Sequence, residues 1–318
     1  MKTRRLDFKK LKTISIQQRI SKISLKDFAF PSEAENSLAT FFENLPKILA
    51  GKSFLEIARA IVLSHQKKKP VLLMMGAHPI KCGLSPIIID LVQKRIISGI
   101  ALNGAGAIHD FEIAMWGKTS ENVEEEITKG RFGMTKETAI LMNKAIKRGA
   151  QSRFGLGEVL GKFLVNKKAP FANFSLLCCA WQNKVPISIH VAIGTDVIHC
   201  HPSVDAKALG QVTFRDFQLF CKEITDLEEG VVLNVGSAVI LPEVFIKALS
   251  VARNLGYQVR NFTAANFDMI QHYRPNINVV QRPTAQGGSG YSITGHHELM
   301  IPLLAAAIKW QWSLKQCR

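Results

Sequence analysis

The 318-residue chain is 47% apolar and only 21% charged, enough to bury a large core and too apolar for extended disorder. Its length fits one α/β unit with appendages. Its six cysteines (Cys82, Cys178, Cys179, Cys200, Cys221 and Cys317) form no Cys-x-x-Cys pair and no regular framework. That spacing argues against a disulfide scaffold or a zinc knuckle and suits a reducing, cytoplasmic setting. No run approaches the roughly 18 to 20 apolar residues of a membrane span. The net charge of +16 is uneven, because residues 1–26 hold nine Lys or Arg against Asp7, half of the excess. With no zinc-finger spacing or aromatic-basic interleaving beside it, this stretch reads as a solvated basic extension over 1–35 rather than a nucleic-acid module. The remainder, 36–318, reads as a single α/β domain with a helical preamble.

In that preamble, Phe41, Phe42, Leu45, Ile48, Phe54, Ile57, Ala58, Ile61 and Val62 recur at helical spacing over 36–66, interrupted by Pro46 and Gly51. Pro70 to Met75 is an apolar run of buried-strand length that stops at Gly76. Ser85 as cap and Pro86 in the first turn predict a helix with Ile88, Leu91, Val92 and Ile96 on its apolar face, closed by Gly99. Ile100-Ala101-Leu102 then predicts a second strand running into Asn103-Gly104-Ala105-Gly106, which completes a parallel crossover. Residues 112–129 are polar and acidic, and the middle section from there through Gly157 suggests a lid or interface. A helix is predicted over 135–147, and another after Gly155-Leu156-Gly157. Further strands are predicted over 186–191, ending at Gly194-Thr195-Asp196, over 231–234, ending at Gly236-Ser237, and over 258–262, with Thr263 to Asp268 as the loop that follows. Strands that end in small or polar residues, next to helix N-termini with free N–H groups, make a crevice suited to phosphates and carboxylates. The expected class is a Rossmann-like α/β fold with a mostly parallel sheet flanked by helices.

Several segments, met in order from Lys69 to Ala307, resemble the deoxyhypusine synthase family. In that family NAD removes a hydride from spermidine, and an aminobutyl group passes through an enzyme lysine to a protein lysine. Met75-Gly76-Ala77-His78-Pro79-Ile80-Lys81-Cys82-Gly83 looks like the family's Thr-Ser-Asn-Leu-Ile-Ser-Ser-Gly loop, and residues 103–110 resemble its Thr-Ala-Gly-Gly-Val-Glu-Glu-Asp. Thr263-Ala264-Ala265-Asn266-Phe267-Asp268 is similar to Thr-Ala-Gln-Glu-Phe-Asp, Arg274-Pro275 to Arg-Pro, and Ile301-Pro302-Leu303-Leu304 to Phe-Pro-Leu-Leu. The resemblance implies NAD as cofactor, a small and polyamine-type substrate, and a homotetramer. It implies cofactor contacts at Gly76, His78, Asn103, Gly104, Ala105, Gly106, Asp196, Gly236, Ser237, Thr263, Ala264, Asp268 and His297.

The departures bear on chemistry. The family's Trp-Gly-Lys falls, by counting, at Gln281-Arg282-Pro283, so the imine-forming lysine is missing there, and no lysine occurs between Ala248 and Ile308. Arginine stays protonated and cannot form that Schiff base. Trp116-Gly117-Lys118 reproduces the tripeptide elsewhere and reads as coincidence. The family's histidine pair is replaced by Pro242-Glu243, and an acidic residue of its last ligand loop becomes His296. The chain instead offers imidazoles beside carboxylates, which suit proton transfer near neutral pH. His109, Asp110 and His296 are the candidate catalytic groups. His199-x-His201 on an extended segment offers a start for a metal site with His296 or Asp196, although no metal is expected overall. Lys81, Arg274 and Arg282 are candidate anion contacts. Three readings follow: an NAD-dependent enzyme on a small amine-bearing substrate, a non-catalytic nucleotide-binding or assembly protein, and a metal-assisted hydrolase.

Overall fold

A computed structural model of the chain describes residues 8–316 apart from 21, 34 and 36. Lys2, Arg4, Arg5 and Asp7 of the basic extension, Asn36 at the start of the expected preamble, and Cys317 lie outside the described residues. The chain divides into two compact units, Met1–Lys52 and Ser53–Arg318. In the first, Ser37 caps α1 (Leu38–Glu43) by accepting from the Thr40 amide at 3.3 Å. Its apolar side chains are largely exposed, Phe8 at 73% and Ile20 at 94%. Helix α2 (Leu49–Gln66) enters the second unit with Phe54, Ile57, Ala58, Ile61 and Val62 buried along one stripe, the periodicity its sequence carries.

The second unit is built on six strands: β1 (Val71–Met75), β2 (Gly99–Asn103), β3 (Ile187–His190), β4 (Val231–Val235), β5 (Thr263–Asp268) and β6 (Ser289–Thr294). Every pairing is parallel and the spatial order is β3-β2-β1-β4-β5-β6. Helices α3 (His78–Lys81) and α4 (Ser85–Gln93) join β1 to β2. The β2 to β3 connection carries α5 (Gly104–Trp116), α6 (Val123–Thr128), α7 (Lys136–Ala150), α8 (Leu156–Asn166) and α9 (Leu176–Asn183). Helix α10 (Ala206–Thr225) leads to β4 and α11 (Ile240–Asn254) to β5. A short turn, α12 (Tyr273–Pro275), and a π-helix over Asn276–Gln281 lead to β6, and α13 (His297–Gln316) follows. Among the described residues no helix is long and apolar enough to cross a membrane.

The apolar runs of β1, β2 and β4 are continuous because both faces of the sheet are covered. Leu72, Met74, Ala101, Val232 and Ala264 on one face pack with Phe220 and Ile224 of α10 and Phe245 and Leu249 of α11. On the other face Phe54 meets Phe267 edge to face, with ring centroids 6.4 Å apart. Each fully buried Leu or Phe in such a core contributes about 2 kcal/mol.

Two buried aspartates fix the placement of the helices. Asp110 of α5 accepts from Ser175 Oγ (2.6 Å) and the Leu176 and Leu177 amides (2.7 and 3.0 Å), so it caps α9. Asp216 of α10 accepts from the Gly157 amide at 2.9 Å and the Ile189 amide at 2.6 Å, joining the start of α8 to β3. Gly155 and Gly157 have no room for a side chain, since a Cβ would lie 1.7 Å from Asp216 Oδ1 and 2.1 Å from the Ile187 carbonyl respectively.

Four local expectations are corrected. The strand expected over 258–262 lies instead at Thr263–Asp268, which moves Thr263 and Ala264 from a crevice loop to the amino half of β5. β6 was not foreseen; only Ile293 of it is buried, so it carries no apolar run. The cap of α4 is Leu84 rather than Ser85, and Gly99 opens β2 instead of closing that helix. His199 sits in a 3-10 turn over Val197–Cys200, not on an extended segment that would align it with His201.

Candidate functional site

The order β3-β2-β1-β4-β5-β6 places the topological switch between β1 and β4, where a doubly wound sheet ordinarily opens a ligand crevice at its carboxyl edge. Here that point is filled. A Cβ on Gly76 would lie 2.1 Å from the Gly236 carbonyl oxygen, so the loops after β1 and β4 touch backbone to backbone. Gly236 has φ +64° and is approached by His297 Cε1 and Pro79 Cδ at 3.0 and 3.5 Å from a Cβ position. Buried His297 donates Nε2–H to the Phe267 carbonyl at 3.1 Å, and its ring lies 5.4 Å from that of His78.

The open space lies to one side, over the ends of β2 and β3. A cavity of about 680 Å³ is lined by residues of α3, α5 and α7, by residues 118–121, and by Thr195, Asp196 and Val197 after β3. That volume is within the range of small-molecule sites. His109 and Glu112 of α5 share the wall with Lys81, Trp116, Lys118, Thr119 and Phe132.

Hydrogen-bond geometry fixes the state of His109. Thr119 Oγ1 donates to Glu112 Oε2 at 2.5 Å and lies 2.6 Å from His109 Nδ1, so the imidazole proton sits on Nδ1 and is given to the threonine oxygen. Nε2 keeps a lone pair. Glu112 Oε1 accepts from Thr138 Oγ1 at 2.9 Å, so both oxygens of the carboxylate are engaged. Burial pushes the His109 pKa below the ordinary value, with Glu112 acting upward and Lys81 downward, so the ring is neutral at pH 7 and able to take a proton.

At the start of α5, Asn103 caps the helix by accepting from the Gly106 amide at 2.8 Å. Gly104 leaves room for Asp196, whose Oδ2 would be 1.9 Å from a Cβ there. Asp196 is buried, and burial pushes its pKa up to about 6. Its Oδ2 and the Nε2 of His199 lie 3.8 Å apart, and neither has a hydrogen-bond partner among the described residues. His199 Nδ1 accepts from the Gly194 amide at 3.3 Å, which puts the ring proton on Nε2. The pair is thus one acceptor and one donor, both atoms buried, and of the two residues Asp196 is the one that lines the cavity.

The remaining expected site residues scatter. Gly76, His78, Gly236, Ser237 and His297 belong to the closed switch point, and Ser237 Oγ accepts from the Leu241 amide at 3.3 Å. Asp110 is turned away from the cavity and spent on α9. His296 is 63% exposed, 3.7 Å from Glu298, and outside the cavity. Asp268, at the carboxyl end of β5, accepts from its neighbour Met269. Arg274 pairs with Glu243 at 3.3 Å and Arg282 donates to Asn278 at 3.1 Å, both beside α11. His190 faces Ser188 at 3.0 Å and Phe220, and burial lowers its pKa to about 3, a core histidine. Pro283 lies by the start of β5, its carbonyl accepting from Arg253 at 3.1 Å, at the sheet edge opposite the cavity. Lys118, read from the sequence as a coincidence, lines the cavity. Thr119 and Thr138, which no motif marks, complete the relay.

These features define an α/β protein of Rossmann-like topology with an all-parallel six-stranded sheet. No family model and no curated protein matches the chain. Among solved structures, AgrE in its complex with ornithine and NAD+ superposes with a TM-score of 0.52 at 11% identity, over 85% of this chain and 35% of AgrE. A LOR/SDH protein, provisionally so assigned, of Methanococcus maripaludis S2 gives 0.47 at 13%, over 87% and 71%. A protein of Entamoeba histolytica provisionally assigned as a deoxyhypusine synthase gives 0.49 at 13%, over 88% and 95%. At these identities the likeness is one of fold, and only the first is close enough to bear on it. The chain spans about a third of the length of AgrE.

Proposed function

We propose that the protein binds NAD at the cavity over α5 and acts there on a small, amine-bearing substrate. The observation that carries this reading is Asp196, with Oδ2 unpartnered, among the residues lining a cavity that also holds a neutral, oriented His109. A carboxylate facing a ribose hydroxyl is the usual acidic contact of dinucleotide sites. Lys81 and Lys118 would offset phosphate charge, and Trp116, Ile108 and Phe132 offer apolar wall to a planar ring. The fold is shared with AgrE, whose complex contains NAD+ and ornithine. Four lining carboxylates (Glu112, Glu121, Glu137, Asp196) against two lysines favour a cationic substrate.

NAD, when bound, supplies a hydride acceptor. The protein's part is to hold the hydroxyl at Asp196 and to receive at His109 Nε2 the proton released by the substrate. The imidazolium so formed is stabilised through Thr119 by Glu112. The aminobutyl transfer to a lysine at position 283 is not part of this reading, since proline stands there and lies at the other sheet edge. Four assembled copies in the cytoplasm complete the proposal, with sedimentation velocity as the check on assembly.

Calorimetric titration with NAD tests it. Micromolar binding is expected, at least tenfold weaker in Asp196→Asn. His109→Ala should retain binding and lose NADH formation with amine substrates. No binding at millimolar NAD removes the reading. Binding without turnover of any amine supports the non-catalytic alternative.

A further inference from the structure

Beside the closed switch point, three side chains of different chemistry converge outside the cavity. His78 opens α3 and Cys82 follows its end, four residues apart and therefore on the same helical face. Glu298 comes from the first turn of α13. His78 Nε2 is 3.3 Å from Cys82 Sγ, and Cys82 Sγ is 3.8 Å from Glu298 Oε2. The three ligand atoms all lie within 4.8 Å of one another.

We infer that His78, Cys82 and Glu298 form a binding site for one divalent metal ion, zinc by donor chemistry. The argument is geometric. A tetrahedral zinc with Zn–N and Zn–O near 2.0–2.1 Å and Zn–S near 2.3 Å has N···S and S···O edges of about 3.5 Å. The two measured separations, 3.3 and 3.8 Å, bracket that edge, so an ion can be seated with small side-chain adjustments. One nitrogen, one sulfur and one carboxylate oxygen suit borderline zinc and disfavour calcium or magnesium, which take oxygen. Three protein ligands leave the fourth position open.

The surroundings fit the chemistry. The second carboxylate oxygen of Glu298 is 3.7 Å from His296 Nδ1, an outer partner of the kind that orients a metal-bound carboxylate. Without an ion the Cys82 sulfur carries its thiol proton. Metal binding replaces that proton: the S–H bond breaks, the thiolate becomes a ligand, and one proton leaves to solvent. The other described cysteines do not compete for this site, since Cys178, Cys179 and Cys221 are buried elsewhere and Cys200 is exposed.

The test uses the full chain, stripped with chelator and titrated with cobalt(II), then zinc. One ion per chain is expected, with a thiolate-to-cobalt charge-transfer band that zinc bleaches and with release of a proton. The band should vanish in Cys82→Ser and persist in Cys200→Ser. Affinity should fall at least tenfold in Glu298→Gln, a surface change that leaves the fold intact by circular dichroism. No band in the wild-type chain, a band retained in Cys82→Ser, or unchanged affinity in Glu298→Gln overturns the assignment. None of these readouts depends on NAD.

Discussion

Where β1 and β4 end, two glycines bring adjacent loops into backbone contact and His297 packs against them; where β2 and β3 end, the chain leaves a cavity lined by His109, Glu112 and Asp196. The strand order alone would place a ligand at the first position. Side-chain packing places the available space at the second. The contrast repeats in the buried aspartates. Asp110 and Asp216 accept backbone amides from other elements, although Asp216 Oδ1 has no partner, while Asp196 sits nearly as deep beside the start of α5 and has no donor for Oδ2. A buried carboxylate oxygen without a donor costs stability, and of these orphan oxygens only that of Asp196 belongs to a residue lining the cavity.

The sharpest way to break this comparison is at the closed half. Gly76→Ala should destabilise by about 4 kcal/mol, because the new methyl meets the Gly236 backbone rather than a movable side chain. Urea denaturation measures it, and a loss below about 1 kcal/mol would mean that the loops separate freely.

Next comes the pH dependence set by Asp196. Its folded pKa of about 6 lies above the ordinary carboxylate value, so its contribution is complete below about pH 4 and is lost as pH rises through 6. The loss is ~2–3 kcal/mol. His190, lowered to about 3, acts oppositely, its contribution being present above about pH 6.5 and lost on acidification. The useful quantity is therefore the difference between wild type and Asp196→Asn, which should grow in favour of the variant from pH 4 to 7. Parallel profiles would show that Asp196 is paired in solution.

Smaller effects sharpen the open half. Proton NMR titration should show the His109 pKa falling further in Glu112→Gln and rising in Lys81→Met, following the charges that act on it. No response to Glu112→Gln would disconnect the relay. Smallest of all, Lys94→Ala removes an exposed pair with Asp90 far from either half and should change stability by less than about 0.5 kcal/mol in thermal melts.

Much of the frame was legible from the sequence because buried parallel strands are written as apolar runs: β1, β2, β3 and β4 were located within a residue or two. β5 was displaced because its Thr-Ala-Ala-Asn-Phe-Asp lacks the β-branched run that marks a strand, while the preceding Val259 and Phe262 supplied apolar character. β6, with Ser, Gly and Thr at an edge, carried almost no signal. Around the cavity, His109 and Asp196 line the wall and Asn103 and Gly104 start α5, all four in segments that the sequence singles out. Asp110 shared that motif but points inward, a distinction that one turn of helix makes and spacing along the chain does not. Lys118 and Thr119 come from a segment without periodic pattern, and Thr138, on the buried face of α7, carries no motif. Glu298 meets His78 only through the closing of the fold, although the His78-x-x-x-Cys82 spacing was open to reading.

One further feature joins the last three strands. Asn234 Nδ2 donates to Asn266 Oδ1 at 2.7 Å, Asn266 Nδ2 to Gln271 Oε1 at 2.8 Å, and Gln271 Nε2 to the Ile293 carbonyl at 3.0 Å. The three amides point the same way, so each polarises the next, and none can turn over without stranding its neighbours. The ends of β4, β5 and β6 accordingly open as one cooperative unit. In amide hydrogen exchange their strand-end protons should share a single opening free energy, distinct from that of the loops around the cavity.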